Sequence, residues 1–103
     1  MIKGNRYSVG YKNCDADYEY KEIIIPVSEG MKFYCTTDGY LDQNGGEKGF
    51  PFGKKRFGNI IKEFHADSMA DQQEMFLYEM ASYEEQVTDN DRNDDMTVIG
   101  LTI

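Results

Sequence analysis

The chain has 103 residues, which is enough for one domain, and its charge and composition exclude several classes of protein. Nineteen Asp and Glu residues against eleven Lys and Arg give a net charge of −8, so phosphate backbones repel it, and neither nucleic-acid binding nor docking to an anionic membrane is expected. Hydrophobic residues make up 40% of the chain and aromatic residues 14%, which is too rich for a disordered tail. We expect a folded domain that attracts cations, either divalent metals or basic surfaces of a partner.

The cysteines and the apolar runs indicate the cellular compartment in which the domain is expected to occur. Cys14 and Cys35 are too few for a disulfide framework, and no His/Cys cluster has the spacing of a zinc site. The N-terminus lacks the apolar run of a secretory signal, and the longest aliphatic run, 23–25, is far shorter than the about 20 residues that a membrane span needs. We therefore expect a reduced, cytoplasmic domain that does not insert into a membrane.

Two strands are predicted in the first half of the chain, after a polar and aromatic segment at 1–20 that we expect to be irregular. Residues 21–27 are rich in β-branched side chains, and Pro26 marks them as an edge strand or a bulge. A turn signal at 28–30 separates them from a second strand at 31–37, where apolar and polar residues alternate. The two strands are expected to form a hairpin.

Two amphipathic helices are predicted in the second half, after a glycine-rich loop at 44–53. Apolar residues recur at helical spacing from Lys54 to Phe64, and this pattern predicts the first helix. Asp67-Ser68 then offers an N-cap for a second helix from Met69 to Val87. The apolar stripe of this second helix is expected to lie in the core and consists of Met69, Phe76, Met80, Tyr83 and Val87, with Leu77 beside them.

An acidic loop at 88–95 and a buried strand at 96–103 are expected to close the chain. The resulting order, strand-strand-helix-helix-strand, belongs to the α+β class. Three strands leave the edges of their sheet open, and an open edge needs a cover or a partner.

Two acidic motifs lie at the predicted strand ends. Asp38-Gly39 follows one strand, and its glycine allows a sharp turn and leaves space for a ligand, although Asp-Gly is also common in plain turns. Asn93-Asp94-Asp95 precedes the last strand, where a solvated acidic loop is the alternative. Carboxylates that meet at one edge repel each other unless a cation neutralises them, and Mg²⁺ and Mn²⁺ prefer such oxygen ligands. Convergence of Asp38 and Asp94 is therefore a metal-site hypothesis.

Three stretches, in this order, resemble the C-terminal half of the metal-dependent PPM serine/threonine phosphatases, and the bacterial SpoIIE/RsbU type is the nearest branch. They are Tyr34–Gln43 with its Thr-Asp-Gly, Phe52–Phe57 with its Phe-Gly before a helix, and Asn93–Ile99 with its Asp-Asp-Met-Thr. Ser8-Val9-Gly10 is also similar to the small-apolar-Gly stretch that precedes the hairpin in that branch.

The resemblance implies a β-sandwich flanked by helices, of which this chain is the C-terminal half, with two Mn²⁺ or Mg²⁺ ions on one rim. By position, Asp38 corresponds to one metal ligand and Asp94 to another, Asp95 either replaces or assists Asp94, and Gly39 is the glycine of close approach. The implied reaction is hydrolysis of phosphoserine or phosphothreonine on a regulatory protein of the anti-sigma-factor-antagonist type. A metal-bound hydroxide attacks phosphorus in this chemistry, so no catalytic residue beyond the metal ligands is implied.

One departure from the family pattern limits what the chain is expected to do alone. The first half of these phosphatases carries further acidic ligands, including an Asp-Gly, whereas Asp15 and Asp17 here are followed by Ala and Tyr. Residues 1–103 are therefore expected to be the C-terminal portion of a phosphatase domain, inactive by itself, with a homodimer covering the exposed sheet edge. The alternative is a non-catalytic acidic module that docks a protein partner without hydrolysing phosphate.

Overall fold

The computed structural model describes residues 1–3, 16–87, 92 and 94–103. Its elements in chain order are β1 (Lys32–Thr36), α1 (Asp38–Leu41), β2 (Asn44–Gly45), β3 (Phe50–Pro51), α2 (Gly53–Phe64), α3 (Met69–Glu84) and β4 (Val98–Thr102). This combination of helices with small antiparallel sheets confirms the α+β class. The predictions for Ser8-Val9-Gly10, Cys14, Asp15, Asn93 and most of the acidic loop lie outside the described residues.

The main sheet pairs β1 with β4 in antiparallel orientation, so that Tyr34 lies opposite Gly100. The predicted hairpin is wrong, because residues 21–27, all of them described, form no strand. Pro26 has no N–H to donate to a ladder, whereas the run that becomes β4 contains no proline and pairs over its full length. β1 therefore pairs with β4, the C-terminal strand, and not with residues 21–27.

The predicted loop at 44–53 contains a second, smaller ladder between β2 and β3. Gly46 and Gly49 have φ angles of 69° and 67°, a left-handed conformation that glycine adopts without steric cost and that closes the turn. A Cβ added to Gly45 would lie 2.8 Å from a ring carbon of Tyr83. This hairpin consequently lies directly against α3.

Both long helices form close to where the sequence predicts them. α2 begins at Gly53, one residue before the predicted start, and ends at Phe64 as predicted. α3 begins at Met69, and the Ser68 hydroxyl oxygen caps it by accepting a hydrogen bond from the backbone N–H of Asp71 at 3.1 Å. It ends at Glu84, three residues before the predicted end.

The core lies between the helices, the small hairpin and one face of the main sheet. Its buried apolar side chains are Tyr40, Phe52, Phe57, Ile60, Phe76, Met80 and Tyr83. The predicted stripe of α3 supplies Phe76, Met80 and Tyr83 to this core, whereas Leu77 beside it is 64% exposed. The burial of aromatic side chains therefore holds the two long helices together.

The last strand is not buried as the sequence predicts, since Ile99 is 54% and Leu101 43% exposed. These two side chains lie opposite Cys35 and Phe33, on the face of the sheet that points away from the core. Helices cover the other face, where Val98 packs against the core. Within the described residues nothing covers the outer face, which leaves apolar surface exposed.

Candidate functional site

The pairing of β1 with β4 brings the two acidic motifs to the same end of the sheet, where β1 ends and β4 begins. This end of the strands is called the acidic edge. Thr36, the last residue of β1, is paired with Val98, the first residue of β4. Asp38 follows β1 and Asp95 precedes β4, so both leave the ladder at this same edge. Asp38 and Asp94 are 56 positions apart in the sequence. The strand pairing makes the two motifs neighbours in the fold.

A reciprocal pair of threonines extends the ladder toward this edge. The backbone N–H of Thr37 donates to the carbonyl oxygen of Thr97 at 3.0 Å, and the N–H of Thr97 donates to the hydroxyl oxygen of Thr37 at 3.1 Å. These bonds fix the residue directly before Asp38 against the segment that follows Asp95. Sequence reasoning gave neither threonine a role, although a hydroxyl residue beside each acidic motif is a visible signal.

Gly39 makes the closest approach between the two motifs. A Cβ added to this glycine would overlap the backbone oxygen of Asp95 and would lie 3.5 Å from the carbonyl carbon of Asp94. Gly39 is buried under this contact. The sequence predicted a glycine that leaves space for a ligand, and the structure fills that space with the backbone of the second acidic motif.

The carboxylates of this edge are accessible to solvent. Asp38 is the first residue of α1, and Asp38, Asp94 and Asp95 are all exposed. One carboxylate oxygen of Asp94 accepts a hydrogen bond from the backbone N–H of Asp95 at 2.7 Å, which orients the side chain and leaves its second oxygen available. Carboxylate oxygens of this kind suit Mg²⁺ and Mn²⁺, which bind through one or two carboxylates and keep several waters.

The donor set is incomplete in the part of the chain that the structure describes. Among those residues, no group of three or more His, Cys, Asp or Glu side chains lies close enough together to hold a metal ion. Asp38, Asp94 and Asp95 therefore do not form a metal site by themselves, and a full coordination shell for a hard cation at this edge needs further oxygen ligands.

The one-turn helix α1, which carries Asp38 and Gly39, is held by Tyr40. The Tyr40 hydroxyl donates to the backbone oxygen of Phe76 in α3 at 2.7 Å, and the side chain is 4% exposed. Burial raises the pKa of Tyr40, and the nearby carboxylates of Glu79 and Glu84 raise it further, so the hydroxyl keeps its proton. Sequence reasoning did not assign a role to Tyr40, and an aromatic residue directly after Asp-Gly was the available signal.

A second polar cluster connects β1 to α3 at the far end from the acidic motifs. The Tyr34 hydroxyl donates to the side-chain oxygen of Gln72 at 2.5 Å, and burial raises the pKa of Tyr34. Gln72 is buried, and its amide nitrogen donates to the backbone oxygen of Asp67 at 2.8 Å. The Lys32 ammonium group donates to the backbone oxygen of His65, the C-cap residue of α2. These contacts fix the sheet against the turn between α2 and α3.

In the described residues, no helix has the length and the apolar character required to cross a lipid bilayer.

Comparison with known proteins gives the family. A family model described as Stage II sporulation protein E (SpoIIE) matches residues 12–103. Among solved structures, the SiaA-PP2C domain of Pseudomonas aeruginosa is 34% identical in sequence and superposes with a TM-score of 0.73, covering 84% of this chain and 34% of that chain. This chain thus spans about a third of the length of that structure. A comparison with curated proteins finds no match. The chain has the α+β fold of a PP2C domain and belongs to the SpoIIE type of the PPM phosphatase family.

Proposed function

We propose that this chain is the C-terminal portion of a phosphatase domain and supplies part of a two-metal site that hydrolyses phosphoserine or phosphothreonine on a protein. The family match supports a protein phosphatase. The observation that carries the metal site is the contact between Gly39 and the backbone of Asp94 and Asp95. It holds the segments that bear Asp38 and Asp94 against each other at one edge of the sheet.

Each residue of this edge has a proposed role. Asp38 and Asp94 bind the Mn²⁺ or Mg²⁺ ions, and Gly39 allows the two segments to approach. The hydrogen bond from the N–H of Asp95 orients the Asp94 carboxylate, which favours Asp94 as the direct ligand and Asp95 as its support. When bound, the metal ions activate water and neutralise charge on the phosphoryl oxygens. The role of the protein residues is to hold these ions and to leave the edge open to a phosphoprotein.

The remaining ligands come from the rest of the domain. Three carboxylates on one edge do not form a complete two-metal site, and no group of three potential ligands lies together in the described residues. The aligned residues cover only 34% of the matched structure, which leaves room for those ligands. We accordingly expect these 103 residues to be inactive by themselves. The chain together with the rest of its phosphatase domain is called the complete domain below.

The family and the exposed sheet face support proposals for the substrate and for the assembly. The SpoIIE match favours a phosphorylated regulatory protein of the anti-sigma-factor-antagonist type, in the cytoplasm of a bacterium. The outer face of the main sheet exposes Ile99 and Leu101. We propose that in the isolated chain a second copy covers this apolar face and the open strand edges, so that the chain forms a homodimer.

Phosphate release from a phosphoserine-bearing protein tests the catalytic proposal. The complete domain should hydrolyse this substrate only when Mn²⁺ or Mg²⁺ is present, and Asp38→Asn and Asp94→Asn should each abolish the reaction. Glu74→Gln, which neutralises an exposed carboxylate on α3, is the matched control and should leave the rate unchanged. If the complete domain binds Mn²⁺ but hydrolyses no phosphoserine or phosphothreonine, the catalytic proposal is wrong. Partner binding that is insensitive to chelators and to both substitutions would then identify a non-catalytic interaction module.

A further inference from the structure

We propose that Tyr40 is a positioning residue for the metal ligand Asp38, and that its hydroxyl couples helix α3 to the metal site. This inference rests on the function proposed above. It starts from α1, a helix of only four residues that begins at Asp38. A single turn is not stable by itself, since forming the first turn of a helix fixes several residues for one hydrogen bond. The preceding Thr37 provides no side-chain cap for this turn.

The side chain of Tyr40 provides the missing support. Its ring packs edge-on against the rings of Phe52 and Phe57, with centroid distances of 5.3 and 5.8 Å. Its hydroxyl reaches the backbone oxygen of Phe76 in the middle of α3. Aromatic packing restricts where the ring lies, and the hydrogen bond fixes the distance between α1 and α3.

A displacement of Tyr40 moves Asp38, because both belong to the same turn. The backbone N–H of Asp42 donates to the carbonyl oxygen of Asp38 at 2.7 Å and closes that turn around Gly39. Gly39 already touches the backbone of Asp95, so a rotation of the turn changes how the two acidic motifs meet. The distance between the carboxylates of Asp38 and the second motif therefore depends on the Tyr40 hydrogen bond.

Tyr34 offers a matched comparison within the same chain. Its hydroxyl also donates to α3, to the side chain of Gln72, one helical turn before Phe76. Tyr34 however lies in β1, where the ladder with β4 fixes the backbone on its own. Removing the Tyr34 hydroxyl should weaken the packing of the sheet on α3 without moving the acidic edge.

The test measures Mn²⁺ affinity of the complete domain, from the electron paramagnetic resonance signal of free Mn²⁺, together with thermal unfolding. Tyr40→Phe keeps the ring and is expected to raise the Kd for Mn²⁺ about five- to tenfold, as loss of one hydrogen bond behind a metal ligand does. Each of Tyr40→Phe and Tyr34→Phe removes one hydrogen bond, so the two variants are expected to lower the unfolding temperature by similar amounts. Tyr34→Phe, however, is expected to change the Kd for Mn²⁺ less than about twofold. Equal effects of the two variants on the Kd would overturn the positioning role.

Two further variants separate the possible failures. Asp38→Asn must weaken Mn²⁺ binding; if it does not, the proposed function fails and this inference with it. If Asp38→Asn weakens binding but Tyr40→Phe does not, only the inference about Tyr40 fails. Phe57→Leu loosens the ring contact but keeps the hydroxyl, and it should raise the Kd less than Tyr40→Phe. An increase as large as that of Tyr40→Phe would mean that ring packing, and not the hydroxyl, positions α1.

Discussion

Replacing Gly39 with alanine places a methyl group where the backbone oxygen of Asp95 already lies. Ordinary contacts of a Cβ begin at 3.4 Å, so α1 or the segment at Asp94 and Asp95 must move by more than about 1 Å to admit it. A displacement of about 1 Å at a reacting centre can lower the rate about 100-fold, which corresponds to about 2.7 kcal/mol of transition-state stabilisation. We expect Gly39→Ala to lower kcat/KM of the complete domain by about this factor and to weaken its affinity for Mn²⁺.

The assay for this substitution follows phosphate release from a phosphoserine-bearing protein over a range of Mn²⁺ concentrations, with circular dichroism as a check of the fold. Gly58→Ala is the matched control, because a Cβ at this position in α2 would meet nothing within 4 Å. The control should keep its activity and gain about 0.5–1 kcal/mol of unfolding free energy, as a Gly→Ala change inside a helix does. A folded Gly39→Ala variant with unchanged Mn²⁺ affinity and unchanged rate would refute the close-approach argument.

Three further substitutions or conditions test the fold that holds this edge. Ser68→Ala removes the cap of α3 and should lower the unfolding free energy in urea by about 1 kcal/mol, and no loss would contradict the cap. Gln72→Ala removes a buried amide that accepts from the Tyr34 hydroxyl and donates to the Asp67 backbone oxygen, and it should cost about 1–3 kcal/mol in the same assay, whereas a neutral result would mean that water replaces it. Burial raises the pKa of Tyr40 above its ordinary 10.0, so the folded state favours the protonated phenol. This contribution is complete below pH 10 and is lost above it, as the unfolded chain ionises first, by up to about 1.4 kcal/mol per pH unit. Urea titrations between pH 9 and 11.5 should show this fall, and Tyr40→Phe should reduce it; a slope that the substitution leaves unchanged would assign the effect to another group.

The helices could be predicted from the sequence because their signals are local. The spacing of apolar residues identifies α2 to within one residue at its start, and Ser68 marks the first turn of α3. The pairing of β1 could not be predicted in this way. Alternation identifies a strand, but it does not identify the partner strand, which here lies more than 60 residues away at the end of the chain.

The candidate site likewise contains features that could be predicted from the sequence and features that could not. The residues of the acidic motifs were recognised from their order in the sequence, and the fold brings the backbones of the two motifs together at Gly39. That Asp38 and Asp94 bind a metal ion together stays a prediction. The Thr37–Thr97 pair, the contact of Gly39 with the backbone of Asp95 and the anchor from Tyr40 to α3 were not predicted. Each of them joins residues distant in the chain, so it exists only once the strands and helices have packed.

We propose that Asp38 and Asp94 bind the same divalent cation. Titration of the complete domain with Mn²⁺, for the wild type, Asp38→Asn, Asp94→Asn and the double variant, tests it directly. If the two carboxylates share one ion, each single substitution weakens binding strongly and the double variant binds little worse than the weaker single variant. Losses that simply add, or a single variant that binds Mn²⁺ as tightly as the wild type, would contradict the shared site.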